Sequence, residues 1–192
     1  SAQLVARIWA TKKIGYLVDE VRLNGENKEL VDEIVRLGTR FGILTEYTSF
    51  LAAPETDIAE AGANGSRALE EVRKRTGVTS GAHGVAQAAN SKRMQRGGQA
   101  QYEQSWLGRN GRKVTIHGVQ NLKGRTLFQR KETWLDATVT AEAQKNAVEV
   151  PYFSDSFFGY IERNPWLNQC IARTGDLTIQ VEGKVLRFKK AD

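Results

Sequence analysis

The chain of 192 residues is short of several things, and each shortage excludes something. Cys170 is the single cysteine, so no internal disulfide can form and the fold must hold by packing. There are three prolines, one methionine and two histidines. With so few soft or imidazole donors, a Cys/His metal site has almost nothing to be built from. The longest apolar runs span a few residues, far below the roughly 20 needed to cross a bilayer. The first residues hold no charged stretch leading into an apolar one, as a secretory leader would. Instead Ser1-Ala2 runs straight into helical sequence, so the chain reads as a fragment of a longer protein.

What is present is a globular composition, 40% hydrophobic and 26% charged. The net charge of +6 is uneven, since residues 62–135 carry 14 Lys/Arg against 4 Asp/Glu while both flanks are slightly acidic. Such asymmetry points to an anionic partner or to a solvated connector.

Apolar spacing predicts a helix over Gln3–Leu23 with two stripes. Leu4, Val5, Ile8 and Trp9 form one; Ile14, Leu17, Val18 and Val21 form the other. Asn24-Gly25 stops it. Asn27 caps a second helix with Leu30, Ile34, Leu37 and Phe41 on one face, ended by Gly42. The short connection makes the pair an antiparallel hairpin. An apolar face holding Trp9, Leu17, Ile34 and Phe41 is too large for two helices to bury. The hairpin should therefore self-associate or fold back onto residues 112–190.

Residues 43–51 read as extended. Pro54 and the Gly/Ala-rich stretch 59–65 then open a connector with helical pieces at Ser66–Arg75 and Val85–Gln95, expected to be loosely packed. After it, Val114, Ile116 and Val119 suggest one strand, Thr126–Arg130 a second after the Lys123-Gly124 turn, and Thr133–Asp136 a third with Trp134 inward. Ser154-Asp155 caps a short helix bearing Phe157, Phe158 and Ile161. Asn164-Pro165 opens another, with Pro at its first position, and Gly175 closes it. Leu177–Val181 and Val185–Lys189 flank Glu182-Gly183-Lys184 as a β-hairpin. The expected fold is α+β: an N-terminal antiparallel helical hairpin (1–54), a basic Gly-rich connector (55–110), and a small antiparallel β-sheet with short helices (111–192).

Two blocks resemble a known family. The first runs Ala6-Arg7-Ile8-Trp9-Ala10-Thr11-Lys12-Lys13-Ile14-Gly15-Tyr16-Leu17, continues through residues 28–37 and ends at residues 41–51, Phe41 to Leu51. The second comprises Arg125-Thr126-Leu127-Phe128, Thr133-Trp134-Leu135-Asp136, Tyr152 to Phe158, Arg163-Asn164-Pro165 and Val181 to Val185. Both are similar to the region after the von Willebrand A domain in bacterial VIT/VWA proteins, relatives of the inter-alpha-trypsin inhibitor heavy chains. That family usually has Pro where this chain has Glu46. The resemblance implies a non-catalytic assembly or adhesion segment that supports a neighbouring A domain and offers a protein-binding surface. It also implies an extracytoplasmic location, at the bacterial cell surface or in the periplasm. The family's metal-dependent adhesion motif, Asp-x-Ser-x-Ser, belongs to the A domain and does not occur here.

Nothing in the chain forms a catalytic, cofactor or metal signature. His83 falls in a Gly-rich loop and His117 on an alternating strand, neither with ligands at metal spacing. Ser80, Ser91 and Ser105 lack a nucleophile elbow, and residues 108–113 have the wrong spacing for a phosphate loop. Asn64-Gly65-Ser66 matches a glycosylation sequon by chance. Cys170 reads as a buried structural thiol. The alternative to protein binding is nucleic-acid or other anionic-polymer binding. For it, Arg93, Arg96, Tyr102, Trp106, Arg109, Arg112 and Lys113 interleave cations with aromatics, and Arg96-Gly97-Gly98 echoes an RGG element.

Overall fold

A computed structural model of the chain describes residues 2–25, 27–49, 70, 81–96, 105–107, 112–115 and 118–190. The architecture is α+β. Among the described residues, three helices and a short fourth one, through Ala143, pack on one side of a six-stranded sheet, and two short helices pack on the other. In chain order the described helices are α1 (Ala2–Asn24), α2 (Lys28–Phe41), α3 (Ala82–Arg96), α4 (Ala141–Lys145), α5 (Asp155–Arg163) and α6 (Leu167–Thr174). The strands are β1 (Ser105–Leu107), β2 (Lys113–Thr115), β3 (Val119–Leu122), β4 (Arg125–Arg130), β5 (Thr133–Asp136), β6 (Val148–Pro151), β7 (Leu177–Val181) and β8 (Lys184–Lys189). Among the described residues, no helix is long and apolar enough to cross a membrane.

The hairpin forms as its caps dictate. Asn27 accepts from the Glu29 N–H at the start of α2, and Gly42 closes the helix in the left-handed region at φ 60°. A Cβ on Gly42 would stand 2.7 Å from Thr126 Cγ2, so the same glycine lets the helix end press onto the sheet. Two carbonyls left over at that end are then satisfied from elsewhere in the fold. Thr126 Oγ1 on β4 donates to the Arg40 carbonyl at 2.9 Å, and Arg7 Nε on α1 donates to the Phe41 carbonyl at 3.2 Å.

The main sheet runs β3-β4-β5-β7-β8-β6. It is mostly antiparallel, but β5 pairs with β7 and β6 with β8 in parallel. Alternation along the strands splits the core in two. Phe128 and Leu135 join Val119 and Val139 under Ile14, Leu17, Ile34 and Leu37 of the hairpin. Their chain neighbours Leu127 and Trp134 face the other way, with Leu177, Ile179, Leu186 and Phe188 against Phe157, Leu167 and Cys170. The hairpin thus folds back onto the sheet, and its apolar face finds cover within the chain.

Several expectations change. Residues 43–45 belong to no strand and 46–48 form a turn, so the described part of the segment expected to be extended pairs with no sheet, and residues 50–51 lie outside the described residues. Thr48 Oγ1 accepts from the Thr45 N–H and donates to the Ile43 carbonyl, so local hydroxyl bonds override β propensity. The single strand expected from Val114 to Val119 is two: β2 pairs with β1 in a separate two-stranded sheet, and β3 pairs with β4. Ile116 lies outside the described residues. The helix after Asn164 begins at Leu167, two residues beyond Pro165. The Glu182-Gly183 turn has two residues rather than three, because Val181 pairs with Lys184. Strand β6 and helix α4 were not foreseen. The edge that β6 creates is blunted, since Pro151 has no N–H and its carbonyl accepts from Ser154.

The expected loose packing of the connector fails for residues 82–96. Helix α3 is seated on α1, with Ala86, Ser91 and Met94 buried. Gly15 permits this, because a Cβ there would lie 2.8 Å from Met94 Cβ and 3.0 Å from the Ser91 carbonyl. The helical piece expected at 66–75 lies outside the described residues apart from Glu70, which is helical.

Candidate functional site

Two kinds of place could interact with a partner: one cleft and two exposed apolar faces. The cleft lies between α1, the turn at 44–46, α3 and β1, lined among others by Val18, Thr45, Glu46, Gln87, Ser91 and Ser105. At about 20 Å³ it has room for roughly one water molecule. Its polar groups are mostly committed to each other. Gln87 Nε2 donates to Glu46 Oε1 at 2.7 Å, and Arg93 donates to the Ser105 carbonyl. Asn90 imitates a strand partner, giving and taking one bond each with Leu107, at 3.0 and 2.9 Å. Ser91 Oγ, fully buried, finds no hydrogen-bond partner among the described residues. The cleft is a packing seam that holds β1 and β2 to α3.

The first exposed face belongs to α1. Val5, Trp9, Tyr16 and Leu23 are each more than half exposed, in line along the helix. Sequence periodicity found the stripe's beginning at Val5 and Trp9 but grouped Trp9 with the core face. Tyr16 and Leu23, seven and fourteen residues on from Trp9, extend the line. The second face is at the turn into α5. Phe153 is 79% exposed with its backbone at φ 65°, a region that a bulky residue enters at a cost of about 1–3 kcal/mol. The turn is held on both sides. Tyr152 N–H donates to the Lys189 carbonyl, Tyr152 Oη to the Gly175 carbonyl, and Ser154 Oγ caps α5 through the Phe157 N–H. Burial, reinforced by Asp176, pushes the Tyr152 phenol well above its ordinary range. Phe153 packs edge-on to Phe157 at 5.9 Å, and exposed Phe158 does so at 5.3 Å.

The residues singled out from sequence scatter. His83 belongs to α3 rather than to a loop. His117, Ser80, Tyr102, Arg109 and the Asn64-Gly65-Ser66 and Arg96-Gly97-Gly98 motifs lie wholly or partly outside the described residues. Arg93 donates to the Ser105 carbonyl of β1, and Arg93, Arg96, Arg112 and Lys113 are all exposed. Among the described residues, no three of His, Cys, Asp and Glu gather where a metal ion could be held.

Cys170 is completely buried, and that burial, more than the nearby Asp136 carboxylate, pushes its thiol up to about 11. An unfolded thiol ionises near 9. The neutral buried thiol therefore favours the fold fully below about pH 9. This advantage fades as pH rises towards about 11, by up to about 2 kcal/mol. Denaturant melts across that window should lose less stability in Cys170→Ala than in the parent chain, and a thiol reagent at pH 8 should react only on unfolding. Rapid labelling of the native chain would show the thiol to be accessible.

The chain matches no family model, no curated protein and no solved structure.

Proposed function

We propose that this chain is a non-catalytic assembly or adhesion segment of a VIT/VWA-like bacterial protein, working outside the cytoplasm. Its helical block supports a neighbouring A domain, and its C-terminal module offers a protein-binding surface. One observation carries most of this reading. Apolar side chains run round the whole circumference of α1, yet only the sides towards α2, α3 and the sheet are covered. A helix apolar all round is ordinarily enclosed. The open side of α1 is what an assembly contact would close. Phe153 and Phe158 supply a second apolar contact on the C-terminal module.

The rival reading, anionic-polymer binding, draws on the exposed Arg96, Arg112 and Lys113. The two are separated by salt. Calorimetric titration of the chain with the A domain of such a protein should give an affinity that changes little between about 50 and about 200 mM salt. Binding of a labelled single-stranded oligonucleotide should be weak and fall away over that range. No association with the A domain, together with tight and steeply salt-dependent oligonucleotide binding, would replace this reading with its rival.

A further inference from the structure

We propose that the solvent face of α1 docks an acidic amphipathic helix of a partner protein. The inference rests on the assembly reading and adds the chemistry of the partner. Val5, Trp9, Tyr16 and Leu23 are spaced by four, seven and seven residues, which puts them in one line about 27 Å long. Between the two rings of that line stand Lys12 and Lys13, both exposed. No acidic residue precedes Asp19 in the chain. The first two that follow are engaged on the helix itself: Asp19 pairs with Arg22 at 2.7 Å, and Glu20 accepts from Asn24 at 2.6 Å. The middle of the stripe therefore carries two lysines, of which Lys13 also acts on the Glu33 carboxylate of α2, which is itself held by Arg36, with an apolar anchor on each side. Its complement is a segment with carboxylates at the centre and apolar side chains a turn or two away on either side.

Other occupants fit less well. Two copies pairing about the middle of the stripe would bring each Lys12 and Lys13 against its counterpart. Single-stranded nucleic acid would use the rings and lysines, but Val5 and Leu23 present no π-face to a base. A partner helix uses the whole line. The face is also backed by α3, because Gly15, about a quarter turn round α1 from the stripe, lets α1 lie close against the backbone of α3.

The test uses the full chain and two labelled helix-forming peptides. Both carry leucines at i, i+4, i+11 and i+15; at the central positions i+7 and i+8 one has glutamates and its twin has lysines. The acidic peptide should bind, and its twin should not. Lys12→Glu/Lys13→Glu should weaken the acidic peptide by about tenfold or more and confer binding on the basic one. Trp9→Ala and Tyr16→Ala should each cost a similar factor, with melting temperatures near that of the parent chain since both rings are exposed. The proposal is overturned if the acidic peptide does not bind, if both peptides bind alike, or if binding ignores Trp9 and Tyr16. A light-scattering mass that doubles with concentration, and reverts in Trp9→Ala, would give the face to a second copy. Oligonucleotide binding lost in the same variant would give it to nucleic acid. Retained A-domain binding, with loss of peptide specificity, would refute this inference alone. Loss of A-domain binding would refute the assembly reading.

Discussion

Phe128→Ala is expected to destabilise the chain by about 3–5 kcal/mol and to loosen the helical hairpin from the sheet. The ring is fully buried on β4, with Leu135 opposite it on β5 and Val119 opposite it on β3. Directly across the layer are Ile14, Ile34 and Leu37. Truncation removes a large apolar surface and leaves a cavity that two rigid layers cannot close. Limited proteolysis gives the more specific readout. In the parent chain, residues 2–41 should resist cleavage at the same denaturant concentration. In Phe128→Ala, new cuts should appear within residues 2–41 at low denaturant, before the C-terminal sheet is attacked. Leu127→Ala, one residue away but facing α5 and α6, should instead weaken the module behind the sheet. Identical cleavage patterns for the two variants would show that the two core layers do not unfold separately.

The second large effect is expected at a buried ion pair. Asp136 is fully buried at the end of β5; its Oδ2 lies 3.0 Å from Arg125 Nη1, and its Oδ1 accepts from the Thr138 N–H and hydroxyl, both at 2.9 Å. The guanidinium also stacks over Trp166 at 5.2 Å from the ring centre. Arg125→Met keeps much of the side-chain volume but strands a carboxylate without its cation, at a cost of about 3–5 kcal/mol. Adding Asp136→Asn should restore a good part of that loss, since a neutral amide needs no counter-charge and can still accept from Thr138. The measurement is a double-mutant cycle by denaturant unfolding. Two losses that simply add would mean that the pair is not coupled and that Arg125 acts through packing on Trp166.

The elements with short-range causes were legible in the sequence. Asn27 and Gly42 bound α2, Ser154 starts α5, Gly175 ends α6, and Lys123-Gly124 and Glu182-Gly183 turn their hairpins. Each depends on a cap or a left-handed residue within a few positions, so the letters carry it. Strand β6 was not legible. It holds only Val148-Glu149-Val150-Pro151, and it becomes a strand by lying parallel to β8, some forty residues away. The split between β2 and β3 was not legible for another reason: β2 pairs with Ser105–Leu107 and β3 with β4, both close in sequence, and the apolar alternation from Val114 to Val119 does not mark where one pairing ends and the other begins. The choice at β6 is made by a partner distant in sequence.

The surface divides along the same line. Periodicity shows two apolar stripes on the first helix, but it cannot say which one meets the core. Tertiary structure decides that: Gly15 turns one side of α1 to α3, while Leu17 and Val21 are buried on another. What remains outward is Val5, Trp9, Lys12, Lys13, Tyr16 and Leu23. Phe153 followed the same rule. Its hydrophobicity suggests burial, but Ser154 at the cap and Tyr152 on the Lys189 carbonyl hold the turn so that the ring faces solvent. Composition by itself determined that this chain must bury its apolar residues without disulfides. Which of those residues stay exposed depended on the order in which helices and strands stack, because burial is a property of the neighbours a residue acquires.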